Sequence, residues 1–352
     1  MALRRMGETP MPQECRRCDR YEVTHMSRWC IGVDLGGTFI KFGLLGADRQ
    51  ASETLQLPTP VNEGGSGVVS QMVAGVRQLM ETHQVDLTDV VGIGIGAPGP
   101  LDLAEGIVIA MPNIPGMENL RIRDQLAEAI GRPGVLENDA NAAAYGEYLC
   151  GAGREARDMV MLTLGTGVGS GIVLDGQVLH GAHGIGAELG HMVIEPGGEL
   201  CGCGQRGCLE RYCSATYAAR HAATRIEGGE ASSLADVLAS GGEFTAKDIN
   251  EARRAGDELA AAVWDRSAYY LALACVNVCR IFDPDEIVLA GGMTRAGDDL
   301  MDPIQAHFRR LHWSLTDPMT TIVFSALGDN AGVVGAAGVA WQSLEPDALD
   351  QI

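Results

Sequence analysis

The sequence predicts an α/β fold, duplicated into two domains that face each other across a cleft. Three observations carry this reading. The chain has 352 residues, more than the ~250 to 300 at which a single hydrophobic core stops growing. One device, an apolar β run, a glycine-rich turn and a second apolar run, occurs twice, at 29–45 and at 159–174. Around the two copies β runs alternate with helical patterns, as in sheets covered by helices.

Along the chain, residues 1–28 carry six arginines without apolar periodicity, so a disordered N-terminal extension is expected there. Cys15, Cys18 and His25 in it supply three potential metal ligands with no fourth nearby. The two hairpins follow the β propensity of their branched and aromatic residues. Further strands are expected at 90–96, 134–137, 286–289 and 321–324. Apolar spacing at three and four residues predicts helices over 67–83, 120–130, 140–149, 214–225, 246–255, 258–280 and 300–311. A last helix over 331–342 consists of small residues, which implies close packing. The expected domains are a small one at 29–138, to which the C-terminal helix 329–352 returns, and a large one at 139–328 that carries the loop 186–210.

Composition narrows the function. Twenty-six Lys and Arg against 46 Asp and Glu give a formal charge of −20, so the average field repels a phosphate backbone and nucleic acid is not an expected partner. No apolar run reaches the ~18 residues of a membrane span; the best stretch, 269–282, is broken by Arg280. The N-terminus lacks the apolar core of a secretory signal. A soluble, cytoplasmic protein is expected.

Asp34-Leu-Gly-Gly-Thr38 ends a strand in a turn whose backbone N–H groups could face an anion, with the Thr38 hydroxyl beside them. An ordinary hairpin turn is the plain alternative. The chain has only two lysines, Lys41 and Lys247, against 24 arginines, so a lysine three residues after Thr38 departs from a strong preference for Arg. A compact ammonium near phosphate explains it. The second turn, Gly165-Thr-Gly-Val-Gly-Ser-Gly171, has Gly at alternate positions and bares one strand face. Neither lysine follows a glycine as in a Walker A loop, which excludes that motif.

His191, Cys201, Cys203 and Cys208, spaced H-x9-C-x-C-x4-C, form a closed set of one imidazole and three thiolates suited to tetrahedral zinc. An exposed reactive thiol cluster is the other reading, and a liability in a folded enzyme. Glu188 and Glu210 flank this loop; with an imidazole and an Asn they offer the acceptors that sugar hydroxyls need, or else are solvated charges. Asp139, between a strand and a helix, fits a general base and a helix N-cap equally well.

These residues together resemble the ROK family of sugar kinases (repressor, open reading frame, kinase), over about 29–341. The resemblance rests on Asp34-Leu-Gly-Gly-Thr38, Glu137-Asn-Asp-Ala-Asn141, Leu164-Gly-Thr-Gly-Val-Gly169, Gly186-Ala-Glu-Leu-Gly-His191 and Cys201-Gly-Cys-Gly-Gln-Arg-Gly-Cys-Leu-Glu210. It implies an actin/hexokinase-like (ribonuclease H-like) fold with ATP and sugar in the interdomain cleft. It looks most like the bacterial glucokinases of the family, although kinases for other hexoses and N-acetylhexosamines share nearly every motif. By position, Asp139 resembles the base that takes the proton of the sugar 6-hydroxyl. Asn138, Glu188, His191 and Glu210, with Gly96 and Asn113, resemble the sugar contacts. Asp34, Gly36, Gly37, Thr38, Lys41, Gly165, Thr166 and Gly167 look like the side that takes ATP phosphates and Mg²⁺, and Gly291 and Gly292 the adenosine side. A structural Zn²⁺ on His191, Cys201, Cys203 and Cys208 and a homo-oligomer of two or four copies are expected.

The rival class is a sugar-responsive transcriptional regulator, since some relatives add an N-terminal helix-turn-helix. That module needs roughly 60 to 80 residues before the first hairpin, and 28 are present.

Overall fold

The computed structural model describes residues 28–346 except Pro112 and Ser314. The expected extension over 1–27, with Cys15, Cys18 and His25, and the last six residues of the expected C-terminal helix lie outside the described residues.

The chain folds through β1 (Trp29–Leu35), β2 (Phe39–Gly46), β3 (Leu55–Pro58), α1 (Gly64–His83), β4 (Val90–Ala97), β5 (Leu101–Asp102), β6 (Ile107–Val108), α2 (Ile122–Ile130), β7 (Gly134–Asn138) and α3 (Asp139–Cys150). It continues through β8 (Met159–Leu164), β9 (Val168–Leu174), β10 (Gln177–Val178), α4 (Glu210–Cys213), α5 (Ala215–Glu227), α6 (Ala235–Ala239), α7 (Ala246–Arg254) and α8 (Glu258–Ile281). Last come β11 (Glu286–Ala290), α9 (Asp298–Leu311), β12 (Thr321–Phe324) and α10 (Ala331–Leu344). No described helix is long and apolar enough to cross a membrane.

The strands form two five-stranded sheets of one topology, ordered β3-β2-β1-β4-β7 and β10-β9-β8-β11-β12. In each, the first two strands are an antiparallel hairpin, a short third strand extends it antiparallel, and two later strands add in parallel on the other side. The fold is thus α/β and actin/hexokinase-like, built on two copies of one sheet. Strands β1 and β8 are almost continuously buried, as expected where both faces of a sheet are covered.

Six short elements escape the sequence pattern: β3, β5, β6, β10, α4 and α6. Two to five residues are too few to show a period, and β3 alternates half-buried and exposed positions at an edge that ends on Pro58, the place where a strand tolerates proline.

Helices α3 and α10 lie together between the sheets. One core cluster joins Tyr145 and Leu149 of α3, Val334, Ala337, Val339 and Trp341 of α10, Cys30 and Leu45 of the first sheet and Met159, Met161 and Val288 of the second. The Trp341 indole N–H donates to the Leu45 carbonyl at 2.8 Å. Close approach explains the small residues. A Cβ on Gly335 would lie 1.5 Å from the Ala142 carbonyl oxygen, and one on Gly94 in β4 would lie 1.7 Å from that of Ala336. Both obstacles are backbone, which cannot turn aside as a side chain can.

Glu147 of α3 has no solvent exposure and accepts four hydrogen bonds: from the Ala152 N–H at 2.8 Å, the Ser325 hydroxyl at 2.6 Å, and the Ala326 and Leu327 N–H groups at 3.0 and 2.8 Å. A buried carboxylate so satisfied is tolerated, and it ties α3 to the segment that leads from β12 into α10.

Gly335→Ala is therefore expected to destabilise the protein by ~3 kcal/mol or more, at the upper end of overpacking costs. The check is chemical denaturation; a midpoint equal to that of the wild type would contradict this packing.

Candidate active site and metal centre

A cavity of about 740 Å³ opens where the two sheets and the two central helices meet. Asp34 and Asp139 line it, with Gly165, Thr166 and Gly167 of the second glycine turn, Gly291 and Gly292 after β11, and Glu210 at the start of α4. Residues separated by up to 298 positions in sequence, from Asp34 to Gly332, thus share one space. The duplicated topology accounts for this, because each copy ends its first strand at the same cavity.

The helix cap of α3 is Asn138. Its side-chain oxygen accepts from the Ala140 and Asn141 N–H groups at 3.0 and 3.2 Å, the usual service of an N-cap. Asp139 is instead the first helical residue, and its Oδ1 accepts from the Ala140 N–H at 2.8 Å. Burial raises the Asp139 carboxyl above its ordinary pKa, opposed by hydrogen bonds from the Ala140 backbone and the Asn138 side chain. Asp34 is pushed up to about 6, mainly by burial, with the Lys41 ammonium pulling it down and the Asp139 charge adding to the rise. Two carboxylates held at one cavity and raised toward neutrality are a pattern common at reactive sites.

The first turn is closed by the Gly36 N–H on the Phe39 carbonyl at 3.0 Å, and Thr59 braces it from the side: its hydroxyl donates to the Gly36 carbonyl at 2.7 Å and its N–H to the Thr38 carbonyl at 2.9 Å. Lys41 pairs with Asp34 in the β1–β2 register, and its ammonium donates to the Asp329 carbonyl at 2.7 Å. The second turn is held by the Ala215 N–H on the Gly165 carbonyl at 2.9 Å.

Beside the first cavity lies a second, of about 1100 Å³, which Asn138, Glu188 and His191 line together with Glu137, Asn141, Ser170 and His180. Glu210 faces the first cavity, against Gly167, where an added Cβ would meet its Oε2 at 2.6 Å. The remaining expected residues line neither space. Asn113 is exposed in a turn, and Gly96 is buried behind α3, where a Cβ would meet that of Ala142 at 3.3 Å. Gly36, Gly37, Thr38 and Lys41 sit on the first turn at the rim.

The potential ligand atoms of His191, Cys201, Cys203 and Cys208 all lie within 4.8 Å of one another. The Cys203 and Cys208 sulfurs are 3.7 Å apart, as are the Cys201 sulfur and the His191 Nδ1. Arms of ~2.3 Å to a tetrahedral zinc place two sulfurs about 3.8 Å apart, so the donor set and its spacing fit that ion. The Cys201 sulfur is also 3.2 Å from Glu210 Oε1, which couples the cluster to the first cavity.

Four residues near the cavities drew no role from the sequence, although Glu137 opens one of the quoted motifs: Glu137, Glu147, His180 and Arg295. The two glutamates were legible only as charges inside apolar surroundings, Gly-Val-Leu-Glu-Asn for Glu137 and Ala-Tyr-Gly-Glu-Tyr-Leu for Glu147, a placement that demands partners. His180 and Arg295 stand on loops where sequence offers no such contrast.

Two like sheets around a cleft, glycine turns from both and paired carboxylates define an enzyme that handles an anionic group between two lobes. A model described as the ROK family matches residues 30–343, and the chain belongs to that family. It is 38% identical over 309 residues to a glucokinase of Halalkalibacterium halodurans, an alignment covering 88% of this chain and 93% of that one. The fold is similar to a crystal structure of a ROK family glucokinase from Streptomyces griseus in complex with glucose and AMPPNP, with a TM-score of 0.71, 35% identity, and coverage of 89% of this chain and 99% of that one. It is also similar to a ROK family transcriptional regulator, a homologue of the E. coli MLC protein, with a TM-score of 0.76 and 30% identity over 92% of this chain and 80% of that chain.

Proposed function

We propose that this protein is an ATP-dependent glucokinase, which transfers the γ-phosphate of ATP to the 6-hydroxyl of glucose. One observation carries the reading: the Asp139 carboxylate faces the cavity that Asp34 and the second glycine turn line, while its neighbour Asn138 opens on the cavity of Glu188 and His191. A hydroxyl presented from the second cavity meets, at Asp139, an acceptor for its proton, and a phosphoryl group on the other side. Phosphoryl transfer asks little covalent chemistry of the protein; positioning and electrostatic stabilisation account for most of the rate.

In this reading Asn138, Glu188, His191 and Glu210 hold the sugar hydroxyls, with Gly96 and Asn113 approaching only if the lobes close. The Asp34 turn, Lys41 and the Gly165–Thr166–Gly167 turn take the phosphates, and Gly291 and Gly292 the adenosine. Asp34 would hold Mg²⁺, whose charge offsets that of the phosphates. Burial raises the Asp139 pKa, which suits a base that must accept a proton.

His191 and the three cysteines would hold a zinc ion with four protein ligands, a set suited to a structural role. They would thereby fix the loop that carries Glu188, His191 and Glu210. Eight described cysteines are free, which suits a reducing, cytoplasmic location; a dimer or tetramer belongs to the same reading.

Two experiments test the proposal. Purified protein with ATP and Mg²⁺ should convert glucose to glucose 6-phosphate faster than it acts on fructose, N-acetylmannosamine or N-acetylglucosamine. Preference for one of those sugars would overturn glucose while leaving a kinase, and inertness toward all would overturn catalysis. Elemental analysis should find about one zinc per chain. Cys203→Ser should lower that content and raise the KM for sugar more than that for ATP; an active wild type without bound metal would refute the zinc centre.

A further inference from the structure

Glu137 is 2% exposed, and within hydrogen-bonding range it meets one basic side chain only. Its Oε2 lies 2.6 Å from the His180 Nε2. The other oxygen, Oε1, accepts from the Asn138 N–H at 2.8 Å and from the Asn141 side-chain amide at 3.0 Å. A carboxylate taken out of water at this depth is costly unless all its oxygens are satisfied and its charge is met. The hydrogen bond to Glu137 raises the His180 pKa above its ordinary value, against the opposing effect of burial.

The two partners belong to different halves of the molecule. Glu137 is in β7, the edge of the first sheet, and immediately precedes the Asn138–Asp139 junction. His180 follows β10, the edge of the second sheet, and opens the loop that leads to Glu188 and His191. The His180 carbonyl accepts from the Gly186 N–H at 2.9 Å, so the loop is pinched at the residue that Glu137 holds. Its far end is pinned by Ser170, whose hydroxyl oxygen accepts from the Leu189 N–H at 2.9 Å while the hydroxyl donates to the Ala187 carbonyl. Between these pins Gly181, Gly184 and Ala187 take left-handed φ values of 73°, 69° and 63°. Glu137 and His180 line the same cavity as Asn138, Glu188 and His191.

We propose that the Glu137–His180 pair is a latch across the two halves that positions the sugar side of the site. Glu137 fixes the strand end that presents Asn138 and Asp139, and through His180 it fixes the loop that delivers Glu188. Both are positioning residues. The pair rests on the sugar-kinase reading above, and it adds that sugar affinity depends on a contact remote from the phosphate turns.

The test is steady-state kinetics of His180→Ala, His180→Gln and Glu137→Gln in the full chain, with zinc content and unfolding midpoint measured on each. His180 is half-exposed and its removal leaves the core intact. His180→Ala should raise the KM for glucose about tenfold or more, with kcat and the KM for ATP changed less than about threefold. His180→Gln, which keeps an N–H donor for Glu137, should recover part of that loss, and Glu137→Gln should resemble His180→Ala. A glucose KM within about twofold of the wild type in His180→Ala, or equal rises for glucose and ATP, would overturn the latch. If His180→Ala loses a cooperative unfolding transition, the Gln variants decide by the same split. A wild type that phosphorylates glucose while the variants show no split sinks the latch alone; a wild type inert toward every sugar sinks the kinase reading and the latch with it.

Discussion

The close backbone contact between α3 and α10 is the constraint from which the site follows. Gly335 lets α10 meet the Ala142 carbonyl of α3, and Gly94 lets α10 meet β4. With no side chain between them, the two helices fit as one thin layer between two sheets. The N-terminus of α3 then delivers Asp139, and that of α10 delivers Gly332, whose missing side chain leaves room for the Asp34 carboxylate; a Cβ there would lie 2.8 Å from Asp34 Oδ2. Glu147 adds the polar counterpart by holding Ser325, Ala326 and Leu327.

Electrostatics at the cavity is unusual for a site that would take a polyphosphate. Asp34, Asp139, Glu210 and Asp329 line it, with Arg295 the single cation among the described lining residues, and Lys41 gives its ammonium to the Asp329 carbonyl. The whole chain is acidic as well. In the glucokinase reading, affinity for phosphates would come from backbone N–H groups of the glycine turns and from a divalent cation carried with the nucleotide. Burial, with a smaller contribution from Asp139, pushes the Asp34 carboxyl up to about 6.

Much of this was legible in the sequence, for physical reasons. The two hairpins are continuous apolar runs broken by glycine, and the outer helices bury a periodic stripe, whereas α10 is buried nearly all round. The clustering of His191, Cys201, Cys203 and Cys208 was legible because the four lie within one short segment, where spacing limits geometry. The contacts between residues far apart in sequence were not. Lys41 and Asp329 are 288 positions apart, and Glu137 finds His180 across 43; pattern within a window does not report such pairs. The role of Asp139 was also open in sequence, since it suits a general base and the N-cap of α3 equally well. Backbone geometry assigns the cap to Asn138 and leaves the Asp139 carboxylate at the cavity.

That assignment makes Asp139→Asn the most direct measurement. The substitution keeps the size and the hydrogen bond to the Ala140 N–H and removes the capacity to accept a proton. Turnover of glucose should fall by ~10² to 10⁴, with the dissociation constant for glucose by calorimetry changed less than about threefold and the unfolding midpoint unaltered. A variant that turns over at near the wild-type rate would mean that Asp139 is only a residue of the helix start, and would contradict the account.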